Sequence, residues 1–134
     1  MSAPIVFIKE AEAATSTPEI RVQIEVVYDE AGIERLIRGT FVGEEDLAVA
    51  VVKSEGGLVK EIQSHFVKNG IREPSFCAFQ VHEPTWMEKA KELGYGDYKT
   101  NVESCVKMGK YIRDNYGWRQ WSGYNNGSYL QYLN

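Results

Sequence analysis

The sequence is poor in the residues that usually bind metals, and it lacks a long apolar run. The two histidines, His65 and His82, lie far apart and have no nearby ligand partners. Cys77 and Cys105 do not have the spacing of zinc ligands, so we expect neither a metal nor another cofactor. No apolar run approaches the roughly 20 residues that span a bilayer, which excludes membrane insertion.

The sequence also lacks an excess of positive charge. It contains 15 Lys and Arg against 19 Asp and Glu, which gives a net charge of −4. The basic residues are spread along the chain instead of forming one stripe, so we expect no nucleic acid partner. Residues 1–17 have neither the basic start nor the continuous apolar stretch of a secretory signal, and the compartment therefore stays open at this point.

The composition is typical of a single globular domain. The chain has 134 residues, of which 43% are hydrophobic and 25% are charged, and this length suffices to bury a core. Residues 10–18 are small and polar and end in a proline. We therefore predict a flexible leader or linker over residues 1–18 and one domain over residues 19–134. Cys77 and Cys105 either form a disulfide, if the protein works outside the cytosol, or remain free buried thiols.

Periodicity predicts a strand and two helices in the first half of this domain. Apolar residues alternate with polar ones from Arg21 to Tyr28, as in a half-buried strand. The spacing of Ile33, Leu36, Ile37 and Phe41 is then helical. Residues 44–55 begin with three acidic residues and continue with an apolar stretch, which predicts a buried helix ending at Gly56-Gly57. Glu55 is the last residue before these glycines.

The second half is predicted to contain a hairpin between further helices. Leu58, Ile62, His65 and Phe66 share one face of an amphipathic stretch, and Asn69-Gly70 is typical of a tight hairpin turn. Capping boxes at Thr85-x-x-Glu88 and Thr100-x-x-Glu103 predict two more helices. The first should end at Gly94, and the second should bury Val102, Cys105, Val106, Gly109 and Ile112. The expected fold class is α+β and mainly α-helical, with a small β-hairpin.

Four short segments suggest a function through their order along the chain. They are Ser54-Glu55-Gly56-Gly57-Leu58, Ser75-Phe76-Cys77-Ala78-Phe79-Gln80-Val81, Thr100-Asn101-Val102 and Tyr124-Asn125-Asn126-Gly127. Together they resemble the soluble lytic transglycosylase and goose-type lysozyme superfamily over roughly residues 44–128. In that family, Gly-Leu is common where this chain has Cys77-Ala78, and a serine follows the acid where this chain has Gly56.

The resemblance implies a lysozyme-like fold and a peptidoglycan substrate. The enzyme would cleave the β-1,4 bond between N-acetylmuramic acid and N-acetylglucosamine in glycan strands, as a lytic transglycosylase or a muramidase, outside the cytoplasm. Glu55 would be the general acid and base. Gln80, Phe79, Ser75, Tyr124 and Asn101 would bind substrate, with Gln80 beside the cleaved bond and the Tyr124 hydroxyl near the N-acetyl group or Glu55.

The chemistry requires a carboxylic acid that keeps its proton near neutral pH, and burial beside apolar groups achieves this by disfavouring the ionised form. A second carboxylate usually assists as nucleophile or as base. Order along the chain leaves Glu61, Glu73, Glu83 and Asp97 open for this role. The resemblance to the transglycosylases requires none, because the substrate's own N-acetyl group can attack the anomeric carbon.

Two alternatives stay open at this stage. A related glycosidase could act on chitin-like polymers instead. A non-catalytic module could retain the lysozyme-like groove and bind or support the cell wall without turnover. The many aromatic residues from Trp86 onward are compatible with each of these functions, since sugar rings stack on aromatic surfaces.

Overall fold

The computed structural model describes residues 4–12 and 20–133, and over these residues the protein is a mainly helical α+β fold with small antiparallel strand pairs. The described elements follow one another as β1 (Ile5–Glu12), β2 (Ile20–Val27), α1 (Glu30–Thr40), α2 (Glu45–Glu55), β3 (Val67–Lys68), β4 (Ile71–Arg72), β5 (Ser75–Phe76), β6 (Val81–His82), α3 (Glu83–Leu93), α4 (Val102–Tyr116) and α5 (Ser122–Asn125). Short 3-10 helices at Trp118–Gln120 and Ser128–Tyr132 flank α5. None of the described helices is long and apolar enough to span a membrane.

The first strand pair corrects one prediction from the sequence. β1 pairs antiparallel with β2, in a register that runs from Ile5 opposite Val27 to Glu12 opposite Ile20. The prediction of a flexible leader is therefore wrong over residues 5–12, where the run Ile-Val-Phe-Ile has the β-branched and aromatic residues that favour strands. Residues 1–3 and 13–18 of the predicted leader lie outside the described residues. The predicted strand near Arg21–Tyr28 is confirmed as β2.

The two predicted helices in the first half are confirmed. α1 begins after Asp29, whose Oδ1 accepts a 2.7 Å hydrogen bond from the backbone N–H of Gly32. α2 contributes Ala48–Val52, five consecutive buried residues, to the core and ends at Gly56. Because this central stretch of α2 is buried, the position of Glu55 at the end of the helix is fixed by the core.

The amphipathic stretch after α2 is not helical, although its apolar residues have helical spacing. Residues 58–66 run as an irregular stretch whose backbone pairs with the next segment along the chain. Ser64 N donates to Ser75 O, and Cys77 N donates to Ile62 O, both at 2.8 Å. These non-local hydrogen bonds satisfy the backbone groups that a helix would have used internally. The predicted hairpin at Asn69-Gly70 is confirmed as β3–β4.

The last two long helices form as predicted, although they begin at other caps. α3 begins at Glu83, and the Thr85 hydroxyl bonds the His82 ring instead of capping a helix. α4 is capped by Asn101, whose Oδ1 accepts from Ser104 N at 3.1 Å, and not by Thr100. Gly94 ends α3 in the left-handed conformation, as predicted. The predicted buried face of α4 is also confirmed.

The core joins these elements around a cluster of aromatic rings and one disulfide. Phe79 is fully buried, and its ring centroid lies 5.3 Å from that of Phe41 in a stacked pair and 5.9 Å from that of Trp121 in a T-shaped pair. Cys77 and Cys105, which the sequence left open, form a buried disulfide between the β5–β6 turn and α4. The turn that carries Gln80 is thereby attached to the longest helix.

Candidate active site

Glu55 lies at the carboxyl end of α2, where Gly56 ends the helix. The preceding residues Val51 and Val52 are fully buried, whereas Glu55 itself is only partly covered. A carboxylate at this position combines a rigid backbone with a side chain that still reaches the surface of the domain.

The α5 segment holds one oxygen of this carboxylate. Glu55 Oε1 accepts a 2.8 Å hydrogen bond from Gly123 N and a 3.4 Å bond from Ser122 Oγ. Within the described part of the chain, the other oxygen, Oε2, has no hydrogen-bond partner. Oε2 is therefore the atom left to carry a proton.

The pKa of Glu55 is raised above its usual value. Burial is the largest cause, and the negative charge of Glu73 adds to it. The hydrogen bonds from Gly123 and Ser122 act in the opposite direction, because they stabilise the ionised form. The net direction favours a protonated side chain, which is what a general acid needs.

Glu55 opens into a cleft of about 500 Å³. Part of this cleft is formed by α2, α4, α5 and the 3-10 turn before α5, and the remainder comes from the segment between residue 64 and the start of α3. Its lining residues are Ser54, Glu55, Ser64, Phe66, Glu73, Ser75, Gln80, Val81, His82, Trp86, Ile112, Gln120, Trp121 and Ser122. The lining thus combines polar side chains with the half-buried Trp86, which offers aromatic surface to a ligand.

Glu73 is the second carboxylate of the cleft. Its Oε1 accepts a 2.8 Å hydrogen bond from the hydroxyl of Ser75, a buried residue of β5. Of the four acids that the sequence left open, Glu73 is the one that lines the cleft with Glu55.

The other three acids have structural surroundings. Asp97 accepts hydrogen bonds from Asn101 and from the Ser104 hydroxyl at the start of α4. Glu83 forms an ion pair with Lys99, and Glu61 lies beside Lys60 on the surface. None of them is among the residues that line the Glu55 cleft.

Gln80 lies in the cleft, as the sequence predicted. It ends a tight turn between β5 and β6, in which Cys77 and Gln80 both adopt left-handed backbone conformations with φ of 65° and 50°. Its side-chain Nε2 donates to the Cys77 carbonyl at 2.9 Å, and its backbone N donates to the same oxygen. These bonds fix the amide group while it lines the cleft.

Three of the predicted substrate-binding residues lie elsewhere. Phe79 is 0% exposed and serves the aromatic core, so a sugar cannot contact it. Asn101 is the cap of α4 and lines a separate depression with Asp97 and Tyr28. The Tyr124 ring packs on Tyr129 at 5.0 Å between centroids and is not part of the cleft lining. Ser75 does line the cleft, where it orients Glu73.

The structure adds residues to the site that the sequence motifs did not indicate. Ser122 and Gly123 contact Glu55 directly, and their position just before the Tyr-Asn-x-Gly segment was the available signal. His82 also lines the cleft, with Nδ1 held 2.8 Å from the Thr85 hydroxyl. Across the described residues, no cluster of His, Cys, Asp and Glu has a geometry that would hold a metal ion.

Comparison of the chain with family models, curated proteins and solved structures finds no match.

Proposed function

We propose that this protein is a glycosidase with a lysozyme-like fold that cleaves the β-1,4 bond between N-acetylmuramic acid and N-acetylglucosamine in peptidoglycan. The observation that carries the proposal is the environment of Glu55. This carboxyl has a raised pKa, one anchored oxygen and one unbonded oxygen, and it lines an open cleft. The four sequence segments that resemble lytic transglycosylases and goose-type lysozymes supply the substrate class.

In the proposed reaction, Glu55 protonates the departing glycosidic oxygen from Oε2. Gly123 N–H and Ser122 Oγ–H hold Oε1, so the carboxyl does not rotate away during the transfer. As the bond breaks, Glu55 becomes ionised, and the same two donors stabilise the new charge. In transglycosylation it then accepts the proton of the muramic 6-hydroxyl, whose oxygen forms the new bond to the anomeric carbon.

Glu73 faces the positive charge that develops on the sugar ring. Its carboxylate is held by the Ser75 hydroxyl and lines the same cleft as Glu55. A fixed negative charge there stabilises an oxocarbenium-like transition state, and the same group can activate a water molecule. Hydrolysis uses that water, whereas transglycosylation uses the 6-hydroxyl of the muramic sugar and leaves a 1,6-anhydro end.

Purified peptidoglycan tests the proposal. The parent protein should release soluble fragments, and Glu55→Gln, which keeps the size of the side chain but cannot donate and accept the proton, should slow release by at least about a hundredfold. Equal release by both proteins would contradict the role of Glu55. The mass of the fragments distinguishes an anhydro end from a hydrolysed one, because the two differ by one water molecule.

The same assay separates the rival functions. Activity on chitin oligomers with none on peptidoglycan would indicate a chitin-type glycosidase. Retention of the parent protein on peptidoglycan sacculi without any release of fragments would indicate a non-catalytic wall-binding module.

A further inference from the structure

The β3–β4 hairpin exposes apolar side chains beside the cleft. Phe66, Val67 and Ile71 are 61%, 56% and 70% exposed, on a hairpin whose strands have only two residues each. Asn69 and Gly70 form the turn, with φ of 54° and 76°. Phe66 and Ile71 both line a groove beside the cleft, where a ligand can cover their exposed apolar surface.

Pairing assigns these residues to two faces of the hairpin. Lys68 pairs with Ile71, and the Glu73 N–H donates to the Phe66 carbonyl, so side-chain alternation places all four on one face. Val67 and Arg72 form the opposite face. The first face is therefore mixed, with apolar surface, the carboxylate of Glu73 and the cation of Lys68.

This first face lines a groove of about 330 Å³ that continues the Glu55 cleft. The lining of the groove includes Phe66, Lys68, Ile71, Glu73, Pro74 and His82. Phe66, Glu73 and His82 also line the cleft, so the two cavities share a border. Lys68 is two residues beyond Phe66, about 7 Å farther from that border.

Charge distinguishes the groove from the cleft. The cleft lining contains two carboxylates, Glu55 and Glu73, and no Lys or Arg. Among the residues that line either cavity, Lys68 is the one Lys or Arg, and it has no ion-pair partner among residues 27–133, whose side chains the structure describes. A ligand that carries a carboxylate is repelled near Glu73 and attracted by Lys68 at the far end of the groove.

We propose that the hairpin groove binds the acidic peptide stem that branches from the muramic sugar of the glycan bound in the cleft. This inference rests on the proposed function and names the form of the substrate. Phe66 and Ile71 would contact the stem's alanine methyl groups, and Lys68 would pair with a stem carboxylate. A neutral sugar ring could cover the apolar surface of Phe66 and Ile71, but it would leave the Lys68 ammonium group without an anionic partner.

Initial rates on two substrates test the proposal: glycan strands that carry stems, and the same strands after an amidase has removed them. The parent should cleave stem-bearing strands about tenfold faster. Lys68→Glu and Ile71→Ser should each lower this preference ratio several-fold. Val67→Ser, on the opposite hairpin face, and Lys89→Glu, on the exposed surface of α3, are the matched controls and should keep the parent's ratio.

Equal parent rates on the two substrates would overturn the proposal. So would variants at Lys68 and Ile71 that slow both substrates equally, because this result indicates a sugar subsite or a general loss of folding. If the parent cleaves neither substrate, the proposed function fails, and binding of a muramyl peptide in the groove then tests the inference separately. Hairpin amide signals of Glu55→Gln should then shift with a muramyl peptide and not with the peptide-free sugar, and equal shifts would contradict the inference.

Discussion

The backbone N–H of Gly123 donates a 2.8 Å hydrogen bond to Glu55 Oε1, although 68 positions of sequence separate the two residues. This bond joins the end of α2 to the start of α5. It also requires close approach of the two backbones, because a Cβ on residue 123 would lie 2.8 Å from Ser54 Cβ, closer still to Ser54 Oγ, and 3.2 Å from Glu55 Oε1. The candidate general acid therefore depends on a glycine.

Replacing Gly123 by alanine should both destabilise the protein and misplace Glu55. The added methyl group has no room, and overpacking of this kind costs about 1–3 kcal/mol. We expect a lower urea midpoint and a loss of activity on peptidoglycan. Adding Ser54→Gly removes the clashing side chain, so the double variant should regain a large part of the lost stability and activity. The gain is measured against the effect of Ser54→Gly in the parent background. An alanine variant with parent-like stability and activity would show that α5 does not approach α2 this closely.

The raised pKa of Glu55 makes stability depend on pH in a defined direction. The folded state binds the Glu55 proton more tightly than the unfolded state, so the contribution of this group is full below the unfolded pKa. It is lost as the pH rises through the folded pKa. The Glu55→Gln variant has no carboxyl to ionise at this position, so its stability does not fall for this reason. The unfolding free energy of the variant minus that of the parent should therefore increase as the pH rises through that window.

Urea unfolding of both proteins from pH 3 to 8 measures this difference. Glu88→Gln, at an exposed position of α3, is the matched control. A difference between Glu55→Gln and the parent that stays constant with pH, or that tracks the control, would contradict a buried, proton-retaining Glu55.

Much of the fold follows from local signals in the sequence. α2 was predictable because its apolar residues cover most of the helix and glycines follow it directly, and these same signals placed Glu55 at its end. The hairpin followed from Asn69-Gly70, whose positive φ angles this dipeptide tolerates well. Glu55 and Gln80, both predicted as site residues, line the cleft, and each belongs to a segment whose local geometry its neighbours determine.

The errors concern residues whose role depends on distant partners. Phe79 lies next to Gln80 in sequence but packs in the aromatic core. Its orientation depends on the positions of Phe41 and Trp121, which are distant in sequence. Glu73 could not be separated from Glu61, Glu83 and Asp97, because its selection depends on how β4 and β5 fold back toward α2. Residues 58–66 have helical spacing, yet their backbone bonds the β5 segment, so tertiary pairing overrides the periodicity.

The disulfide should stabilise the protein and hold the turn that carries Gln80. Cys77 and Cys105 are 28 positions apart, and closing a loop of this length contributes on the order of 3–4 kcal/mol. Cys77→Ala/Cys105→Ala should lower the unfolding free energy by a similar amount. Cys77→Gly/Cys105→Ala should lose roughly 1 kcal/mol less, because glycine accepts the φ of 65° at position 77 more readily than alanine does. An alanine pair as stable as the parent, or more stable than the glycine variant, would contradict this account.

Removing the charge of Glu73 should shift the titration of Glu55 to lower pH. The Glu73 carboxylate raises the pKa of Glu55, because two nearby negative charges repel each other. With Glu73→Gln, the ionised form of Glu55 loses that repulsion, so its pKa falls. Since the acid must be protonated to donate, the alkaline limb of the pH–rate profile should move to lower pH together with the pKa.

A carboxyl titration of Glu55 by NMR measures the shift directly, even where Glu73→Gln is too slow to assay. Glu61→Gln, an exposed acid outside the cleft, is the control, and an equal shift in both variants, or an upward shift for Glu73→Gln, would show that Glu73 does not face Glu55 across the cleft.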